Sequence, residues 1–244
     1  LEYIRSFLFG RMAWSKINGL LLVSGGLGMF DKQTAIEAGG YWHKSLGEDM
    51  ELITRMRKLM HEKKEKFLIV YIPESLCWTE VPASMTIFLR QRARWARALI
   101  QTLFLHKKTI FNPKYGMTGL VILPYYLFFE FAVPILEILG LIVLTLDFLF
   151  FSINYFLFIA SAFVYLFYIT ITLISVFLDQ LIYKHYTGIK EVLILLVMVF
   201  IEPVVFHPIN VYASIKGYWH FFRQKEQSWG VMVRQGFNKN DSLQ

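Results

Sequence analysis

Residues 84–108 read SMTIFLRQRARWARALIQTLFLHKK. The stretch has no Gly or Pro and few β-branched residues, so it predicts a helix of about seven turns. Ser84 stands where an N-cap belongs. At about 100° per residue, Gln91, Arg94 and Trp95 share one arc, which brings an amide, a guanidinium and an indole into one small volume. Arg92 falls between them in sequence, and Arg90 and Arg97 flank the arc. Phe88, Leu99 and Leu103 form a largely apolar seam to one side. Such a helix suits a membrane surface, with basic side chains toward headgroups or phosphates and apolar ones buried.

The rest of the chain is apolar and unevenly charged. Of its 244 residues 56% are hydrophobic, more than a soluble domain usually holds. Residues 1–115 hold 18 Lys or Arg against 10 Asp or Glu, whereas residues 116–244 hold 7 against 8. The first part reads as a basic, water-facing unit and the second as mostly lipid-facing. A basic unit beside a membrane can hold nucleotide phosphates or anionic lipid. Nucleic acid is not expected as a partner, because no binding-motif pattern occurs. The single Cys77 excludes an intrachain disulfide framework and reads as a small buried thiol. LEYIRSFLFGRMAWSK, residues 1–16, is too broken by Arg5 and Arg11 for a signal peptide, and the chain reads as a piece of something longer.

Upstream of the central helix, strand-like and helix-like pieces alternate. Tyr3, Ile4, Phe7, Leu8 and Met12 have helical spacing. Leu20–Val23 is a continuous apolar run of buried-strand type, stopped by Ser24-Gly25-Gly26, where two glycines let a backbone approach a ligand or simply turn. Asp31 can cap a short helix through Ala38, closed by Gly39-Gly40. Tyr41, Trp42 and His43 follow in a loop. Aromatics there fill a core or offer a platform to a sugar, and core filling is the commoner use. Glu48-Asp49 opens an amphipathic helix running to about His61, and the charge run 61–66 reads as a turn. Phe67–Ile72 is a second buried-strand pattern, and Cys77–Val81 a possible third. This alternation predicts an α/β unit. Its roughly 115 residues supply too few strands for a whole nucleotide-binding domain, so it reads as the C-terminal portion of one, at 1–115.

Membrane helices follow at 116–222, with spans near 119–146, 153–178 and 191–213, and a tail at 223–244. Phe148–Leu178 holds no Asp, Glu, Lys or Arg, longer than the roughly 20 residues a span needs. The link at 147–153 has no Lys or Arg, whereas Lys184, His185 and Lys190 cluster in the next, which puts residues 1–115 and 179–190 in the cytoplasm. A third span would leave the tail outside, yet its Lys and Arg residues argue for inside. Pro203 and Pro208 offer one way out, by breaking the last segment into an interfacial or re-entrant piece. Glu130, Glu137, Glu202 and His207 lie near membrane depth and are functional candidates there, as for lining a polymer path.

The chemistry is carried by few residues. Inverting glycosyl transfer needs an ionised carboxylate to take the acceptor hydroxyl's proton, and positive charge to hold the departing diphosphate. A helix start favours an anion, which suits Asp49 as base beside Glu48; the bland alternative is a helix cap. Arg94 supplies a planar fork for diphosphate oxygens and Trp95 a flat face on which a sugar can stack.

SGGLGMF, Glu48-Asp49, CWTEVPAS, QRARW, NPKYG before membrane helices, and SWGVMVRQGF together resemble the processive, membrane-bound family 2 glycosyltransferases. That family includes cellulose, hyaluronan, chitin and poly-N-acetylglucosamine synthases, and the last type looks nearest. The resemblance implies a GT-A-type fold, with Asp49 as catalytic base, Glu48 beside it, and Gln91, Arg94 and Trp95 on the diphosphate and acceptor sugar. Gly25, Gly26 and Arg92 join the substrate-binding group. Gly47 stands where the family often has Thr. The resemblance also implies a UDP-sugar donor, a polysaccharide or lipid-linked acceptor, and a divalent Mn or Mg ion with ligands outside this chain, since no Asp-x-Asp occurs in it. On that ground the chain by itself is expected to be inactive. The rival readings are single transfer to a lipid acceptor, and a transporter or scaffold with a basic cytoplasmic domain.

Overall fold

The computed structural model describes residues 1–23, 27–74, 76, 79–150 and 154–223. Helices make up its regular structure, and among the described residues there is no β-strand. This corrects the α/β expectation. A strand needs a neighbouring backbone to pair with, and the apolar runs find none. Phe67–Ile72 is extended, but the Ile69 N–H donates to Asn18 Oδ1 (3.0 Å) and the Tyr71 N–H to Ser15 Oγ (2.9 Å). Side chains thus satisfy its backbone, while Leu68, Val70 and Ile72 alternate outward. Leu20 and Leu21 are buried in an irregular segment. Cys77 lies outside the described residues.

A π-helical stretch, Tyr3–Gly10, runs into α1 (Arg11–Lys16) and buries Ile4 and Leu8, two of the residues with helical spacing. In α2 (Lys32–Glu37), the Asp31 side chain accepts from the Thr34 N–H at 2.8 Å. The Gly39-Gly40 turn after it has φ of +91° and +65°, the left-handed region that glycine enters without strain. α3 (Glu48–Lys63) takes in half of the charge run expected to turn, and ends at Lys64 in a left-handed C-cap. α4 (Met85–Leu105) is the helix of the opening stretch, with Ser84 Oγ accepting from the Ile87 N–H at 3.4 Å.

Beyond a short helix at Pro113–Tyr115, a π-helical turn (Thr118–Ile122) leads into α5 (Leu123–Tyr125), a second π-helical stretch (Tyr126–Ala132) and α6 (Val133–Phe150). α7 (Tyr155–Ile182) and α8 (Ile189–Phe222) follow. Three helical runs, Thr118–Phe150, Tyr155–Ile182 and Ile189–Phe222, are long and apolar enough to cross a membrane. α8 continues through Pro203 and Pro208, so the expected break is absent.

The chain divides into two compact units. The first comprises Leu1–Leu20, Leu68–Pro73 and Leu127–Tyr212; the second comprises Leu21–Phe67, Glu74–Tyr126 and the chain from Ala213 onward. In the first, Ile169, Val176 and Val199 form an apolar centre beside a polar cluster. Arg5 there donates to both oxygens of Glu202 (3.2 and 3.3 Å), to Thr172 Oγ1 (2.7 Å) and to Tyr168 Oη (2.5 Å). His207 Nε2 lies 3.0 Å from Glu137 Oε1. Arg5 and Glu202 thus pair opposite charges among apolar helices, which their desolvation demands. In the second unit, α3, α4 and the end of α8 pack together. A Cβ on Gly217 would fall 2.3 Å from the Ala93 carbonyl oxygen, so only glycine permits that approach to α4.

Candidate active site

The second unit places the start of α3 against α4. A Cβ built on Gly47 would sit 2.8 Å from the Ala98 Cβ, and this close approach sets how near the carboxylates come to α4. Two α4 side chains then hold the loop before α3. Gln101 Nε2 donates to the Lys44 carbonyl (3.0 Å) while its Oε1 accepts from the Leu46 N–H (3.2 Å). Arg94 Nη1 reaches the Leu46 carbonyl at 3.5 Å. Arg94, Ala98 and Gln101 recur at helical spacing, so one stripe of α4 docks the segment ending in Glu48 and Asp49.

Glu48 and Asp49 are both half-buried. Burial pushes the Glu48 carboxyl above its ordinary value; neighbouring Asp49 adds to the rise, and Arg94 opposes it. Asp49 Oδ1 accepts from the Met50 N–H at 2.8 Å. Arg94 and the two carboxylates therefore share one field. Arg92 takes another direction. Its guanidinium stacks over Trp95 at 4.5 Å and over Phe88 at 4.9 Å, and the residue is buried. Arg97 is buried too, and desolvation lowers its pKa. The expectation that the basic side chains of α4 lie toward headgroups or phosphates, with only apolar ones buried, is thus corrected for Arg92 and Arg97, which are buried. Gln91 Oε1 is buried and meets no donor among the described residues. Gly25 and Gly26 lie outside the described residues.

Two features, a polar network and the part played by Gln101, escaped the sequence, and of the two uses open to the loop aromatics Tyr41 does not take the commoner one. Tyr41 is 57% exposed, against the expected core role, and the Asp49 and Glu48 charges add to the burial that raises its pKa. A polar network backs the site. Glu51, 1% exposed, receives Arg55 Nε (2.7 and 2.9 Å) and Nη2 (2.6 Å), and its Oε1 lies 3.3 Å from His106 Nε2. Burial alone would raise the Glu51 carboxyl, but the bonds from His106 and Arg55 carry it below its ordinary value. Gln101 completes the set. The i,i+4 spacing of Glu51 and Arg55 was readable as a helix pair; the long-range partners were not.

Among the described residues no three His, Cys, Asp or Glu side chains converge as a metal site requires. The described residues do not fit the implied Mn or Mg ion.

Residues 4–215 match the family model described as glycosyl transferase family group 2. The chain belongs to that family. A 60-residue stretch is 43% identical to "Chitin synthase A" of Colletotrichum graminicola, covering 25% of this chain and 3% of that protein. A 59-residue stretch is 39% identical to "Chitin synthase 1" of Encephalitozoon cuniculi, covering 24% of this chain and 7% of that protein. The chain thus matches only a small part of the length of these curated relatives. No solved structure matches it. Within glycosyl transferase family group 2, a member with three such apolar helices is a membrane protein.

Proposed function

We propose that the full-length protein transfers a sugar from a UDP-sugar, with inversion, to a growing β-linked polysaccharide at the cytoplasmic face of the plasma membrane. The observation carrying this reading is Asp49 beside Glu48 at the start of α3, in one electrostatic field with Arg94 of α4. In the reaction, the Asp49 carboxylate takes the proton of the acceptor hydroxyl. That oxygen attacks the anomeric carbon from the face opposite the diphosphate, the new glycosidic C–O bond forms, and the bond to UDP breaks. UDP departs with the electron pair, and Arg94 stabilises the charge that gathers on its phosphate oxygens. A guanidinium has five N–H donors, and in this reading Arg94 turns a pair of them to the diphosphate. Trp95 and Gln91 complete the substrate side, with Trp95 kept in place by Arg92.

Chitin is a β-linked N-acetylglucosamine polymer, so the names of the two relatives make UDP-N-acetylglucosamine the donor to test first. The full-length protein in proteoliposomes, with Mg²⁺ or Mn²⁺, is assayed for UDP release and for polymer. Asp49→Asn is expected to lower transfer by about 10²–10⁴-fold, the worth of a positioned base. Release that persists in Asp49→Asn refutes the assignment of the base. A short, lipid-soluble product replaces the polymer with single transfer to lipid.

A further inference from the structure

The loop that carries Tyr41 is tied to the helix that bears the carboxylates, within reach of their charge. Its two preceding residues, Gly39 and Gly40, both have positive φ, so the turn is specified by sequence. Arg55 ties the turn down: Nη2 donates to the Gly40 carbonyl at 2.6 Å, and Nη1 donates to the Ala38 carbonyl. A Cβ on Gly39 would lie 3.1 Å from Arg55 Nη1, so the missing side chain also makes room for the guanidinium. Arg55 is oriented in turn by buried Glu51, which is braced by His106 from the end of α4. Glu51 and Arg55 stand two and six residues after Asp49 on the same helix. One rigid helix therefore fixes both the base and, through Arg55, the turn that ends in Tyr41.

Such a construction is more than a surface tyrosine requires. Phe30 supports the Tyr41 ring from the side, at 6.3 Å and perpendicular, and more than half of the residue remains open. We infer that Tyr41 is a saccharide platform of this protein, taking a pyranose ring of the acceptor chain, and that Glu51, Arg55 and His106 are positioning residues for it. The inference rests on the proposed role of Asp49. A base must touch the acceptor hydroxyl, so an aromatic ring anchored to the helix that bears the base lies toward the acceptor. The nucleobase of the donor lies a ribose and a diphosphate away from the reacting carbon. An apolar ring face against the C–H face of a pyranose gains from burial, and the Tyr41 hydroxyl can bond a sugar hydroxyl.

The test measures initial rates for the full-length protein in proteoliposomes, varying a soluble β-linked N-acetylglucosamine oligosaccharide and UDP-N-acetylglucosamine separately. Tyr41→Ala is expected to raise the acceptor KM about three- to tenfold and to shift the donor KM less than about twofold. Tyr41→Phe, which keeps the ring, recovers most of that loss; Tyr41→Leu, similar in bulk but not aromatic, does not. Arg55→Gln moves the acceptor KM in the same direction, because the turn is freed. An unchanged acceptor KM in both Tyr41→Ala and Tyr41→Leu overturns the inference, and a rise in the donor KM alone reassigns the ring to the nucleobase. Asp49→Asn separates the two layers. If it abolishes transfer while the Tyr41 variants behave as wild type, only the platform is wrong; if it keeps transfer, the reading of the base has failed first.

Discussion

Replacing Gly47 with Ala tests whether the contact between α3 and α4 sets the site. An ideal Cβ at Gly47 falls 2.8 Å from the Ala98 Cβ. Carbon atoms settle at about 3.5–4.0 Å, so the helices must part by about 1 Å or distort. Gly47 has φ −127°, outside the left-handed region, and the clash alone is therefore at work. Overpacking of this kind costs about 1–3 kcal/mol. Loss of glycine's freedom in the unfolded chain returns about 0.4–1 kcal/mol. The net loss of about 0.5–2 kcal/mol corresponds to a fall in Tm of about 1–8 °C for a chain of this size. The same displacement carries Glu48 and Asp49 away from Arg94, and a misplacement of about 1 Å can cost up to 10²-fold in rate. Ala98→Gly alone costs about 1 kcal/mol, since glycine is the poorer helix former. In the double variant the clash is gone, so it should be no less stable than Ala98→Gly alone. Thermal inactivation and UDP release for all four proteins close the cycle. Two effects that simply add, or a Gly47→Ala protein with full stability and rate, would refute the reasoning.

The buried pairs give further predictions. The Glu51 carboxyl has its folded pKa below its ordinary value of about 4.3, so it stabilises the fold above that pH and loses this contribution as pH falls through the folded value. Glu51→Gln should flatten the acid limb of a stability–pH curve, and an identical acid limb in both proteins counts against the network. Glu202→Ala removes the carboxylate that Arg5 holds at 3.2 Å; leaving that guanidinium uncompensated costs about 3–5 kcal/mol, read as a lower temperature of inactivation. A variant with unaltered inactivation would show that the cluster is hydrated in the working protein.

The helices were legible in the sequence because each carries its own signal. Ser84 and Asp31 cap as their side chains allow, Gly39-Gly40 turns, and the spacing of Met50 and Ile53 marks a buried face. The strands were not, for a different physical reason. An apolar run such as Leu20–Val23 or Phe67–Ile72 shows that a segment is extended or buried. Whether it becomes a strand depends on a second backbone elsewhere, and here Ser15 and Asn18 take that place. The arc of Gln91, Arg94 and Trp95 was legible as helix geometry, but its direction was not. Arg94 turns to the Leu46 loop, whereas neighbouring Arg92 covers Trp95. Side chains of that length reach partners that spacing alone does not name.

The arginines of the second unit are held in different ways. Arg92 stacks on the rings of Phe88 and Trp95, Arg55 is held by Glu51 and two carbonyls, and Arg57 is buried with its Nε donating to Thr118 Oγ1. Burial brings the pKa of Arg57 down to about 10, still well above neutrality, so it remains a structural cation. Arg94 differs from these. Its contact to Leu46 is long, at 3.5 Å, and its charge opposes the rise that burial gives the Glu48 carboxyl. In the proposed reaction that guanidinium turns a pair of its donors to the diphosphate. There Arg94 meets the departing diphosphate, and Asp49, beside Glu48 at the start of α3, meets the acceptor.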